Sequence, residues 1–128
     1  MILLDTCVLV DYDQYRFDTQ DVYGASILSR AELEFGAHSA VDPSEFNRRM
    51  HRLEYFDRMF NWLDFDLECS RAYGFVAANA SVRGARMRSK DALIAAQARR
   101  HGAAVMTTNL ADFAPFAHLI EVVQPTSS

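Results

Sequence analysis

Four acidic residues in this 128-residue chain stand where carboxylates can do chemistry. Asp5 ends the apolar run "ILLD", Glu32 lies in "SRAELEFG", Asp91 lies in "SKDALIAAQARRHG", and Asp112 lies in "LADF" just past "AAVMTTN". Burying an unpaired carboxylate is costly enough to force a proton onto it. If the four converge, they cannot all stay ionised without a counter-charge. Mg²⁺ or Mn²⁺ supplies that charge and prefers carboxylate and water oxygens. Such a cluster can hold one or two ions and activate a bound water. Each acid also has a plain structural reading. Asp5 could cap a turn, and Glu32 could complete an S-x-x-E capping box with Ser29. Asp91 could favour the positive end of a helix dipole, and Asp112 could be an ordinary loop acid.

The elements that must position these acids read as short strands alternating with helices. "ILLD" is a buried strand, with Thr6 a possible cap for a following turn. Residues 13–21 are polar and read as a loop, and "VYGASIL" as a second strand. "SRAELEFGAHSA" is helical. The clearest helix starts at "DPSEF": Asp42 is the N-cap, Pro43 suits the first turn, and Glu45 follows three residues after the cap. Phe46, Met50, Leu53, Phe56, Phe60 and Leu63 make one apolar stripe along it. "DLECSRAYGFVAANASVRG" gives another helix ending near Gly84. After the basic loop "ARMRS", Ser89 caps "KDALIAAQARRH", and Gly102 takes the left-handed C-terminal position. "AAVMTTN" and "IEVVQ" are strands, and "LADFAPFAHL" is a loop or short helix. The pattern indicates one α/β domain over residues 1–123, an α/β/α sandwich with a mainly parallel sheet, and a disordered tail at 124–128. In such sheets ligands gather beyond the carboxyl ends of the strands, where Asp5 stands.

Composition narrows the classes. Thirteen basic against seventeen acidic side chains give a net charge of -4, which argues against a strongly basic nucleic-acid binder. Binding of RNA would have to be local. "VRGARMRSK" places Arg83, Arg86, Arg88 and Lys90 immediately before Asp91, where they could grip phosphates or remain solvated loop charges. Arg99 and Arg100 sit late in their helix and suit its dipole. The four histidines lack zinc spacing. Cys7 and Cys69 read as small buried thiols of a reducing compartment, with one disulfide as the alternative. No basic leader and no apolar run of membrane length is visible, so the cytoplasm is expected and a membrane is not.

"ILLDTCVLVD", "SRAELEFG", "KDALIAAQARRHGAAVMTTN" and "LADF", in that order over nearly the whole chain, resemble the successive motifs of PIN-domain ribonucleases. The similarity is greatest to the VapC-type toxins of toxin–antitoxin pairs. The resemblance implies a PIN-like fold and metal-dependent endonucleolytic cleavage of structured RNA, with tRNA or rRNA as target. Carried over by position, Asp5, Glu32, Asp91 and Asp112 are catalytic, and Asp5 and Asp91 ligate Mg²⁺ (or Mn²⁺). Arg86, Arg88, Lys90 and Asn109 contact substrate. Family members often carry Asp where Asn109 stands, so the fourth acidic position falls to Asp112 or Asn109. Lys90 also departs from the smaller polar residue common before the second metal acid. It could pair with Asp91 and weaken metal binding, or reach a phosphate. The family further implies a homodimer and a VapB-type antitoxin clamped near the Phe46–Leu63 stripe, where Phe56, Phe60 and Trp62 would suit an apolar helix. Two rivals stand beside this reading. One is a catalytically inactive PIN-like binding module. The other is a different metal-dependent phosphoesterase; the haloacid-dehalogenase type needs a second Asp where Cys7 stands.

Overall fold

The computed structural model describes residues 1–81 and 87–128. Its strands are β1 (Ile2–Leu4), β2 (Tyr15–Arg16), β3 (Tyr23–Ala25), β4 (Ala104–Met106), β5 (Val122–Val123) and β6 (Thr126–Ser127). Its helices are α1 (Thr6–Val10), α2 (Ile27–His38), α3 (Pro43–Met59), α4 (Leu67–Ala78), α5 (Ser89–Arg100) and α6 (Leu110–Phe113). Four strands form a parallel sheet in the order β3-β1-β4-β5, and β2 pairs with β6 in a separate antiparallel ribbon. This is the α/β sandwich with a parallel sheet that the alternation of elements implies.

A parallel sheet must be covered on both faces, and alternation along each strand divides the core accordingly. Leu3 and Val105, paired partners across β1 and β4, join Val76 of α4 and Ala92, Ile94 and Ala95 of α5. Phe113, Phe116 and Ile120 close the same cluster. Leu4, Ala25 and Met106 face the other way, toward Val8 and Leu9 of α1 and Phe56 and Phe60 at the end of α3. Register makes this division strict, because Leu4 lies opposite both Ala25 and Met106. The three strand ends therefore stop at one level, and the residues that follow them meet there.

Helix α3 begins as its capping residues require: Asp42 accepts from the Ser44 N–H at 3.0 Å, and Pro43 is the first helical residue. Leu53 and Phe56 of its stripe are buried, so the stripe supplies core. Gly102 has φ 62°, the left-handed conformation that ends α5 without the Cβ clash other residues meet.

Several boundaries differ from those read in the sequence. Strand β3 stops at Ala25, and Ser26 caps α2 by accepting from the Leu28 N–H at 3.0 Å. Ser29 and Glu32 are therefore inside the helix and form no capping box. Ser89 is the first helical residue of α5 and not its cap; Arg88 holds that place with no side-chain bond. Helix α4 ends at Ala78 because Asn79 turns its amide back to the Phe75 carbonyl at 2.8 Å; Gly84 lies outside the described residues. The segment after α1 forms a 3-10 turn and β2, anchored by Tyr12 stacked on Phe17 with centroids 4.6 Å apart. That ribbon edge receives the chain end. Thr126–Ser127 pairs with it, and the Ser128 N–H donates to the Gln14 carbonyl at 3.1 Å, so the expected disordered tail is a strand. Both cysteines are free thiols, Cys69 buried and Cys7 half-buried.

Candidate active site

The site is built where β1, β3 and β4 end. Asp5 directly follows Leu4, and its N–H donates to the Met106 carbonyl at 3.0 Å, which extends the sheet by one residue. Its carboxylate then does two things at once. Oδ1 accepts from the Thr6 N–H at 2.9 Å and caps α1. Oδ2 accepts from the Thr107 hydroxyl at 2.9 Å and from the Cys7 thiol at 3.4 Å. The capping reading of Asp5 is thus true, yet it accounts for only one of the two oxygens. Thr107 itself is fully buried and receives the Asn109 N–H at 3.0 Å. One carboxylate of 3% exposure is therefore held in a single orientation by both neighbouring chain segments.

Asp91 enters from the first turn of α5 and is 4% exposed. Its Oδ2 is buried without a hydrogen-bond partner. Burial, with the nearby charges of Asp5 and Asp112 and against those of Lys90 and Arg88, pushes its pKa from 3.8 up to about 6. A buried carboxylate oxygen with no donor is rare, and a pKa raised this way beside a second buried carboxylate marks a functional candidate.

Glu32 projects from the second turn of α2. Its Oε1 accepts from the Thr6 hydroxyl at 2.8 Å, and that hydroxyl stands 2.9 Å from the Ser29 Oγ. Its Oε2 accepts from the Lys90 ammonium at 2.8 Å. Lys90 therefore pairs with Glu32 and not with Asp91. Burial works against the Lys90 charge, but the bond to Glu32 and the charges of Glu32, Asp5 and Asp91 outweigh it, and its pKa is raised. Asp112 is half-buried, with Oδ2 at 3.8 Å from the Arg88 guanidinium, which is 71% exposed. Asn109 joins the site through its backbone N–H. Arg83 and Arg86 lie outside the described residues.

The four acids thus share one electrostatic neighbourhood, unequally. Asp5 and Asp112 each act on Asp91, whereas Glu32 is tied in through Thr6 and Lys90. Among the described residues, no three His, Cys, Asp or Glu side chains are grouped closely enough to surround an ion. Two hard carboxylates, one with an unpartnered oxygen, still suit Mg²⁺ or Mn²⁺, because Mg²⁺ keeps several waters and takes only one or two protein carboxylates. Thr6, Ser29, Cys7 and Thr107 were not singled out as site residues by sequence. A signal existed for Thr107: an apolar run that ends abruptly in a hydroxyl at a strand's carboxyl end.

Phe60 and Trp62 do not form an apolar docking face. Phe60 is buried in the core, and the Trp62 indole N–H donates to Asp57 at 2.8 Å. A groove of about 320 Å³ opens instead between α1, α2 and α3. Val10, Leu33, Leu53 and Phe56 line it, Arg48, Arg49 and Arg52 join them, and Thr6 and Glu32 border it as well. No helix among the described residues is long and apolar enough to cross a membrane.

Known proteins resemble this chain in sequence and in fold. The family model described as PIN domain matches residues 2–119. Ribonuclease VapC4 of Mycobacterium tuberculosis is 29% identical over 109 residues, covering 82% of this chain and 83% of the relative. The crystal structure of FitAcB from Neisseria gonorrhoeae superposes with a TM-score of 0.80 at 26% identity, covering 96% of each chain. A member of the VapBC family of toxin–antitoxin systems, VapBC-5 from Mycobacterium tuberculosis, gives a TM-score of 0.77 at 24% identity, over 97% of this chain and 96% of that one.

Proposed function

The chain belongs to the PIN-domain family, and from that premise we propose that it is a VapC-type toxin acting as a metal-dependent endoribonuclease on structured RNA, tRNA or rRNA. The observation that carries this reading is the buried, unpartnered Oδ2 of Asp91 beside an Asp5 carboxylate locked by Thr107. An orphan of that kind is costly unless something positive completes it.

Asp5 and Asp91 would hold the ion. When bound, Mg²⁺ or Mn²⁺ lowers the pKa of a water and neutralises a phosphodiester oxygen. The Thr6 N–H and the Thr107 hydroxyl keep Asp5 in one orientation, so that no rotamer search precedes reaction. Asp112 accepts the proton of the attacking water, and Glu32, held by Thr6 and Lys90, helps orient that water. Arg88, on a long exposed stem, exchanges Asp112 for a substrate phosphate, and Arg86 and the polar Asn109 assist in this reading. Lys90 faces the same pocket with its charge directed to Glu32.

The partner in this reading is a VapB-type antitoxin. Its apolar segment would lie in the groove between α1, α2 and α3, with acidic side chains against Arg48, Arg49 and Arg52. A homodimer and a cytoplasmic location belong to the same reading. Asp5→Asn tests the chemistry. The amide keeps the shape and the Thr6 bond but removes a ligand charge, so the variant should fold, lose Mn²⁺-dependent cleavage of total tRNA by at least about 100-fold, and lose toxicity in cells. Retained cleavage would remove Asp5 from the mechanism. No Mn²⁺ binding and no cleavage by the unaltered protein would leave the binding-module reading.

A further inference from the structure

The unusual residue of this site is Lys90, and its placement bears on how many ions the site can take. Its side chain is half exposed, yet the ammonium is 2.8 Å from Glu32 Oε2 and within the electrostatic reach of Asp5 and Asp91. Both Glu32 oxygens are engaged, Oε1 by the Thr6 hydroxyl and Oε2 by the charged ammonium, whereas Asp5 accepts from neutral donors, the Thr6 N–H, the Thr107 hydroxyl and the Cys7 thiol. Asp91 has a buried oxygen with no partner at all. The charges of the neighbourhood count in the same direction. Among the described residues it holds four carboxylates, Asp5, Glu32, Asp91 and Asp112, against two cations, Lys90 and Arg88. With all of them ionised, two negative charges remain, which one divalent ion balances and two would overshoot.

We propose that Lys90 is the fixed cation of this site, standing in the electrostatic place of a second divalent ion, so that Asp5 and Asp91 take a single Mg²⁺ or Mn²⁺ while Glu32 is held by the ammonium outside its ligand set. This rests on the nuclease reading above and specifies it. Lys90 acts through Glu32 and the field at Asp5 and Asp91, which makes it a positioning residue. A tethered ammonium is compact, keeps its charge and cannot diffuse away. It holds Glu32 in one place whether or not the ion is present. An ammonium cannot, however, lower the pKa of a water as a metal does, so the chemistry of the second ion is absent and only its charge is supplied.

The test is a count of bound Mn²⁺ by electron paramagnetic resonance and calorimetry on the intact protein, with no substrate present. The expected result is one Mn²⁺ per chain. Lys90→Met, which keeps the stem and removes the charge, should tighten that site about tenfold or admit a second ion, while Lys90→Arg should still bind one. Two ions of similar affinity in the unaltered protein would overturn the inference and leave the nuclease reading standing. So would a Lys90→Met protein that binds as the unaltered one does, or a Lys90→Arg protein that behaves like Lys90→Met. No binding at all would overturn the metal-dependent reading itself, and this inference with it. Should Lys90→Met not fold, as judged by circular dichroism, the stoichiometry of the unaltered protein and of Lys90→Arg still decides the matter.

Discussion

The metal-free protein should be destabilised by Asp91 itself, and removing that charge should raise stability as pH rises. Burial first, and the Asp5 charge second, move the Asp91 carboxyl from 3.8 to about 6 in the native state. The native state therefore holds this proton more tightly than the unfolded chain does. Below about pH 4 both states are protonated and nothing is lost. Between about pH 4 and 6 the unfolded chain releases its proton first, and native stability declines; above about pH 6 the loss is complete. A full displacement of that size corresponds to about 3 kcal/mol, and contact of the cleft with water reduces it, so about 1–3 kcal/mol is expected. Asp91→Asn removes the charge and leaves an amide in the same volume. Urea denaturation of both proteins in EDTA at pH 4.5, 6 and 8 isolates the effect of Asp91 and its coupling to its charged neighbours, because titrating groups remote from it cancel in the difference. The variant's advantage should grow with pH and be largest at pH 8. A difference that stays flat across that range, or a variant that is less stable at pH 8, would refute the argument. Saturating Mn²⁺ should reverse the order, since binding stabilises only the protein that keeps the ligand.

Thr107→Val should cost about 1–3 kcal/mol in urea denaturation, because it strips a buried carboxylate oxygen of its hydroxyl donor, and it should lower cleavage about 10–100-fold by freeing Asp5. Gln97→Leu should cost about 1 kcal/mol or less by the same measurement: it removes bonds of 2.8 and 3.1 Å to the Leu63 and Asp64 carbonyls, but the Leu63 carbonyl keeps the Ile27 N–H and the change also removes the buried, unpartnered Gln97 Oε1. A loss near zero in Thr107→Val, or a loss above about 2 kcal/mol in Gln97→Leu, would contradict these assignments.

Much of this arrangement is legible in the residues. The start of α3 follows from Asp42 and Pro43, and the end of α5 from Gly102, because each requirement is local. The start of α2 is not legible, since "GASIL" is a short apolar run that suits a strand or a helix equally, and only the burial of Ser26 between β3 and the loop at Leu63 decides it. The chain end reads as frayed because its partner, Tyr15–Arg16, is more than a hundred residues away and itself lies in a polar stretch. At the site, Asp5, Asp91 and Asp112 could be found from strand ends and helix starts. The pairing of Lys90 with Glu32 could not, because its two residues come from helices 58 positions apart and the adjacent Asp91 is the nearer partner in sequence.

What holds an ionisable group in so unfavourable a place is the packing of α5. Asp91, Ala92, Ile94, Ala95, Ala96, Gln97 and Ala98 are all buried, so this helix is enclosed on most sides and cannot roll to release the carboxylate to water. The small alanines let it approach Leu3 and Val105 closely, which is what the run "DALIAA" accomplishes in physical terms. The same helix reaches the opposite side of the site through Gln97. Its amide donates to the Leu63 carbonyl, the Leu63 N–H donates to Ala25 at 2.9 Å, and the Ile27 N–H returns to the Leu63 carbonyl at 2.9 Å. Those bonds anchor the end of β3 and the first residue of α2, the helix that carries Glu32. The acid on α5 and the acid on α2 are therefore placed by one connected set of buried contacts, and the cost of crowding their charges is carried by apolar packing that lies away from the chemistry.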